Sequence, residues 1–291
     1  MMVARAWIGA LALGGALWGC GKDGGDTGTE PPPLGQWLKV GVGTNHACAL
    51  GRDTSLLCWG SSQNKRSTPP SGEGYTDLAV SAAWSCATDA AGEALCWGDV
   101  PDAIKLEGAP PGPYSALSGG ASSICGLQEG GGVSCWGALT EGSAGPYNQL
   151  GAGADVACAV EAPGSIACWG NPASPVAAPT PGTFTALSLY SVFGCALDVG
   201  GLPFCWGAED GGRTDAPAQP FAQVFVGASY GCGLDEEGVA TCWGKDTPLL
   251  EARYSTMSLG PLGGCGVTVD NELLCWGSTG IEGPPDLGAT D

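Results

Sequence analysis

Three residue types in this chain could do chemistry, and their spacing narrows what that chemistry is. Fifteen cysteines, one histidine (His46) and 29 carboxylates are spread over 291 residues. Fourteen cysteines fall into pairs ten positions apart: Cys48 with Cys58, Cys86 with Cys96, Cys125 with Cys135, Cys158 with Cys168, Cys195 with Cys205, Cys232 with Cys242, and Cys265 with Cys275. Thiols can ligate zinc, attack an electrophile or form disulfides. A zinc site needs close C-x2-C pairs or nearby histidines, and the sequence has neither, so no metal is expected. Nucleophilic catalysis needs a base beside the nucleophile, and nothing beyond His46 offers one. No glycine loop with an attendant lysine is present to cradle phosphates. Carboxylates abound, but their spacing singles out no acid–base pair. We therefore expect no catalytic residue and no cofactor. Disulfides are the expected chemistry, with seven reduced buried pairs as the rival reading.

Fourteen evenly paired thiols belong in an oxidising compartment, and the N-terminus supplies a route there. Arg5 precedes an uncharged apolar run from Ala6 to Gly19. That run is too short to span a bilayer and fits the core of a signal peptide. It ends in Leu17-Trp18-Gly19-Cys20, which resembles the lipobox of bacterial lipoproteins, with Trp18 where a small residue is usual. The resemblance implies a signal peptide over 1–19, acylation of Cys20, and two or three acyl chains, enough for stable anchoring to a bacterial envelope. Ordinary cleavage, with Cys20 lost or left free, is the alternative. Residues 20–36 read as the lipidated end and a flexible tether, because their Gly, Pro and polar residues cannot bury a core. The net charge of −19 argues against nucleic acid or anionic lipid surfaces, which recruit clustered Lys and Arg.

These residues must be positioned by a repeat. Each pair ends in Cys-Trp-Gly and recurs every 33 to 39 residues, a period of propellers and solenoids. Eleven positions before the first cysteine stands an aromatic: Trp37, Tyr75, Tyr114, Tyr147, Phe184, Phe221 or Tyr254. Eight before it stands Val, Leu or Met, so a strand with core side chains is expected. Five before it, glycine in five copies marks a turn or bulge out of that strand. Six after it, Gly92, Gly131, Gly164, Gly201, Gly238 and Asn271 suit the positive φ of a hairpin loop, with Thr54 the exception. A three-residue loop ending there places the two cysteines opposite each other on one face, at the short end of disulfide geometry. The Trp of each Cys-Trp-Gly then points to the other face, where it fills the gap between neighbouring sheets. The small residue after the first cysteine is expected to make room for it. A carbohydrate-stacking platform is the alternative use of the seven indoles.

The units run over 37–74, 75–113, 114–146, 147–183, 184–220, 221–253 and 254–291. Each offers three strands and a Pro-rich connection able to hold a short fourth. Seven such sheets arranged radially leave only short, protected edges, and the expected class is all-β. Residues 284–288 echo residues 31–35, which suggests that the two ends meet where the ring closes. The hydrophobic strand, glycine turn, Cys-Ala-Leu (Cys48-Ala49-Leu50, Cys195-Ala196-Leu197) and Cys-Trp-Gly together resemble the regulator of chromosome condensation repeat. His46 stands where that repeat often has histidine. The resemblance covers residues 37 to about 280 and implies a seven-bladed β-propeller. It fixes no activity, since the family spans nucleotide exchange, secreted inhibitors and surface proteins.

Asp89, Glu161, Asp198 and Asp235 are expected to cap hairpin turns, with a calcium-binding rim as the alternative. Positions that vary between copies are the candidates for a ligand. Two residues before the first cysteine, His46, Trp84, Phe193 and Tyr230 are the candidate binding face, with packing under their own turns as the alternative. The expected function is a monomeric, membrane-anchored, extracytoplasmic module that binds another envelope protein or a surface glycan. An inhibitor of a secreted or periplasmic enzyme is the second reading, and a hydrolase with carboxylates at the central channel the third.

Overall fold

The computed structural model describes residues 37–102, 109–177, 181–277, 281 and 283. Among these residues there are seven three-stranded antiparallel sheets in chain order. The inner strands are Trp37–Val42, Asp77–Val80, Tyr114–Gly119, Tyr147–Ala152, Phe184–Tyr190, Gln223–Val226 and Tyr254–Leu259. Each is followed by a middle strand carrying the first cysteine and an outer strand carrying Cys-Trp-Gly. Cys20, the proposed signal peptide, the tether and the segment 284–288 lie outside the described residues.

The hairpin forms as its spacing requires. In the first copy Cys48 pairs with Cys58 and Leu50 with Leu56, and the Gly51 N–H donates to the Ser55 carbonyl at 2.9 Å. That leaves a three-residue loop ending at Thr54. The closing residue has positive φ in every copy, from 65° at Asn271 to 131° at Gly164, and Thr54 adopts it too at 67°. All seven cysteine pairs are disulfides within their own hairpins, with Cα atoms 4.0–4.1 Å apart.

Each sheet has two unlike faces, and the core lies between sheets. The disulfide face of one sheet meets the aromatic face of the next: Cys48 and Leu50 bury Tyr75, Leu78 and Trp97, and Cys232 and Leu234 bury Tyr254 and Met257, with Trp276 packed against them. Seven clusters fill seven such interfaces. The last decides the architecture, because Cys265, Val267 and Ile281 from the end of the chain bury Trp37, Val40 and Trp59 from its beginning. The chain is a closed seven-bladed β-propeller.

Three expectations change in detail. The small residue after the first cysteine leaves room chiefly for the leading aromatic, since a Cβ at Gly126, Gly233 or Gly266 would stand 2.4 Å from the ring of Tyr114, Phe221 or Tyr254. The indole lies instead over the residue before that cysteine, its cross-strand partner (Gly231 opposite Trp243). Five positions before the cysteine, glycine serves close approach between blades: a Cβ at Gly120 would strike the Gly153 carbonyl oxygen, and one at Gly260 would stand 3.0 Å from that of Gly43. Finally, no fourth strand forms among the described residues. Isolated bridges join Val133 to Ser143 and Val239 to Arg253, and the connections are used otherwise. Their carbonyls accept the indole N–H of the following blade, Trp97 donating to Arg66 O at 3.0 Å, Trp206 to Val176 O at 2.9 Å and Trp243 to Arg213 O at 3.0 Å. Trp59 uses Ile281 O at 3.3 Å, so the segment after the last strand does for blade 1 what these connections do for the blades that follow them.

Candidate binding surfaces

The four residues expected to form a binding face are inside the protein. His46 and Phe193 are fully buried, and Trp84 and Tyr230 nearly so. Each reaches toward a neighbouring element: His46 Nε2 lies 3.0 Å from Ser85 Oγ in blade 2, Trp84 lies against Gly137 in blade 3, Trp276 of blade 7 donates its indole N–H to Tyr230 Oη at 2.9 Å, and Arg213 stands over the Phe193 ring at 5.6 Å. The reason is the two-residue period of a strand. A side chain two positions before the cysteine shares the cysteine's face, which is the face that packs on the next blade. Burial also governs their chemistry. Desolvation, helped by the Arg66 charge, lowers the His46 pKa to about 4, so its ring is neutral at pH 7. Five of the seven Cys-Trp-Gly indoles are buried as well, and Trp169 and Trp276 are half-buried, so they do not present a stacking platform.

What the fold leaves outside is the end carrying the hairpin tips. In six of the seven copies the carbonyl of the closing residue accepts the leading N–H of the next blade, from Thr54 O to Tyr75 N at 3.1 Å through Gly238 O to Tyr254 N at 2.8 Å, so successive tips share one end of the ring. Asp89, Asp198 and Asp235 cap these loops as expected, each Oδ1 accepting two backbone N–H groups at 2.8–3.0 Å. Glu161 differs, accepting the Ser165 hydroxyl at 2.8 Å. With Asp53, Glu93, Glu129, Glu236, Glu237, Asp270 and Glu272 the tips carry eleven carboxylates against one cation, Arg52. The inner-to-middle turns at the other end carry one ionisable side chain, Asp155. Among the acids stand exposed apolar side chains, Val199 (74% exposed) and Val269 (49%) foremost. A depression of about 480 Å³ between the tips of blades 5 and 6 is lined by Asp198, Val199, Pro220, Asp235, Glu236 and Glu237.

The seven inner strands also enclose an axial cavity of about 240 Å³. Among the described residues, Lys39 is the one charged side chain on its wall, paired with Asp77 at 2.7 Å. No carboxylate among the described residues lines that wall. Among the described residues, no group of three or more His, Cys, Asp or Glu is placed to hold a metal, and no helix is long and apolar enough to cross a membrane.

No family model matches this sequence, and no curated protein matches it. Solved structures do match. The CRINKLY WD40 ectodomain of the Arabidopsis thaliana receptor kinase ACR4 superposes with a TM-score of 0.70 at 21% identity, over 86% of this chain and 99% of that one. The entire ectodomain of the Physcomitrella patens receptor kinase CR4 gives 0.70 at 24% identity, over 84% and 75%. Prp20p of Saccharomyces cerevisiae, studied for binding to Gsp1p and histones, gives 0.63 at 15% identity, over 77% and 80%. At these identities the likeness is one of fold. It agrees with a propeller of the kind that the chromosome-condensation repeat implies, and the seven disulfides agree with an oxidising environment.

Proposed function

We propose that this propeller is an extracytoplasmic protein-binding module that docks a partner on its hairpin-tip end. The carrying observation is the asymmetry of the ring: positions that repeat are spent on packing between blades, while the tips gather eleven carboxylates and exposed valines at one end. A surface of this kind suits a protein with a basic patch, steered by charge and held by apolar contact at its centre. Structural neighbours support the reading, since Prp20p is described as binding Gsp1p and histones and two neighbours are receptor ectodomains. Attachment to a bacterial envelope through an acylated Cys20 belongs to the same proposal, and it would hold the ring beside envelope partners.

The test is capture from the organism's own envelope extract with wild-type protein, a Glu236→Lys/Glu237→Lys/Asp270→Lys variant, and an Asp155→Lys control at the opposite end. The expected result is a captured protein whose association weakens at least tenfold in the triple variant and with rising salt, but not in the control. Equal capture by all three would reject the docking surface. A captured hydrolase whose activity falls on binding would give the inhibitor reading.

A further inference from the structure

We propose that the axial cavity is a binding site for a small anionic ligand, a carboxylate or oxyanion. The inference stands apart from the docking surface and rests on which hydrogen-bonding capacity the cavity wall leaves unspent. Inner strands are sheet edges, and their free N–H and C=O groups both need partners. In three blades a serine from the preceding blade supplies one. Ser118 Oγ accepts the Ala152 N–H, Ser188 Oγ accepts the Val226 N–H, and Ser258 Oγ accepts the Val42 N–H, each at 3.1 Å. These serines occupy one register level, each opposite the first cysteine of its blade. Each hydroxyl has its oxygen engaged and its proton still to give.

The remaining polar groups point the same way. Asp77 has both oxygens occupied, Oδ1 by Lys39 Nζ at 2.7 Å and Oδ2 by the Leu117 N–H at 2.6 Å. Lys39 gives one proton there and one to the Leu117 carbonyl at 3.4 Å, and keeps a third. Tyr190 stands where five blades have glycine, is 93% buried and lines the cavity, and among the described residues none hydrogen-bonds its hydroxyl. Burial raises its pKa to about 12, so it stays a phenol and a donor at neutral pH. Three serine hydroxyl protons, the Tyr190 phenol and the third proton of the Lys39 ammonium are thus still to give around one cavity, and both oxygens of the one nearby carboxylate already accept a bond. A neutral sugar would bring donors of its own, whereas a carboxylate or oxyanion brings acceptors only.

Isothermal titration at constant ionic strength tests this on the disulfide-intact ring, with acetate, succinate and inorganic phosphate as probes and acetamide as the uncharged control. Saturable binding of at least one anion is expected, with none for acetamide. Tyr190→Phe removes a hydroxyl that holds nothing in the empty ring, so it should weaken the anion at least fivefold with an unchanged ligand-free melting temperature. Lys39→Gln should weaken it at least tenfold. No saturable anion binding, equal binding of acetamide, or wild-type affinity in Tyr190→Phe would each overturn the proposal.

Discussion

His46 shows how a residue type that invites a catalytic reading becomes a packing element. Its ring bridges blades 1 and 2 through Ser85, and burial first, then the Arg66 charge, holds its pKa near 4. In the unfolded chain the value is near 6.5, so as pH falls the unfolded state takes up the proton first. The stability this neutral ring contributes is present above about pH 6.5 and is lost as pH drops toward 4. On the order of 3 kcal/mol is expected to disappear across that window. Urea unfolding at intervals from pH 7 to 4 should show wild type losing that much more than His46→Leu; parallel curves would contradict it. Thr54 is the second instructive residue. It sits at φ 67° where other copies have Gly or Asn, and its hydroxyl accepts the Gly74 N–H at 2.9 Å. That bond explains the exception, since it ties the tip to the entry of blade 2. Thr54→Ala should cost about 1 kcal/mol by losing the bond while keeping the left-handed strain, and Thr54→Gly should recover most of it. Chemical denaturation of the two variants checks the order.

The hairpin is the element that the sequence describes best. A fixed separation of ten between cysteines, with a Gly-tolerant closing residue, permits one register, and the strands adopt it. Removing one staple by Cys125→Ala/Cys135→Ala should lower stability by about 3 kcal/mol on the loop-closure account, read as a shift in denaturation midpoint. Gly233→Ala probes the contact that the sequence reading assigned to the wrong ring. A Cβ there would stand 2.4 Å from the Phe221 ring, so an overpacking cost of about 1–3 kcal/mol is expected. If Gly233→Ala melts like wild type, the leading aromatic is not what fixes that position. The connections were the least legible element. Their lengths and prolines suggested a fourth strand, but a carbonyl placed over a neighbouring indole leaves no periodic mark in the residues that provide it.

At the scale of the whole molecule, stability depends on closing the ring, because each blade covers its neighbour's aromatic face and none covers its own. Ile281 belongs to the closing interface, 2% exposed among Trp37, Val40 and Trp59. Ile281→Ala should cost about 2–4 kcal/mol, although the residue lies beyond the last strand, where truncation would ordinarily be harmless. A loss near zero would show that the ring does not depend on this latch. The acidic tips and the axial cavity also exist only at this scale, since both are assembled from several blades.

By itself the sequence determined the repeat, the hairpin register, the seven disulfide partners and the opposite orientation of cysteine and tryptophan, because all of these follow from residue spacing within one copy. Only the tertiary structure decided what each face meets. His46, Trp84, Phe193 and Tyr230 read as candidates for exposure because they vary between copies, yet the strand period sets them beside the disulfide, and the adjoining blade covers that side. Tyr190 was legible as a departure from the repeat, and the three serines as the commonest residue at one variable position, but not as neighbours. Their meeting depends on inner strands from seven copies converging on one axis, a relation between residues far apart in the chain that no spacing within a copy encodes.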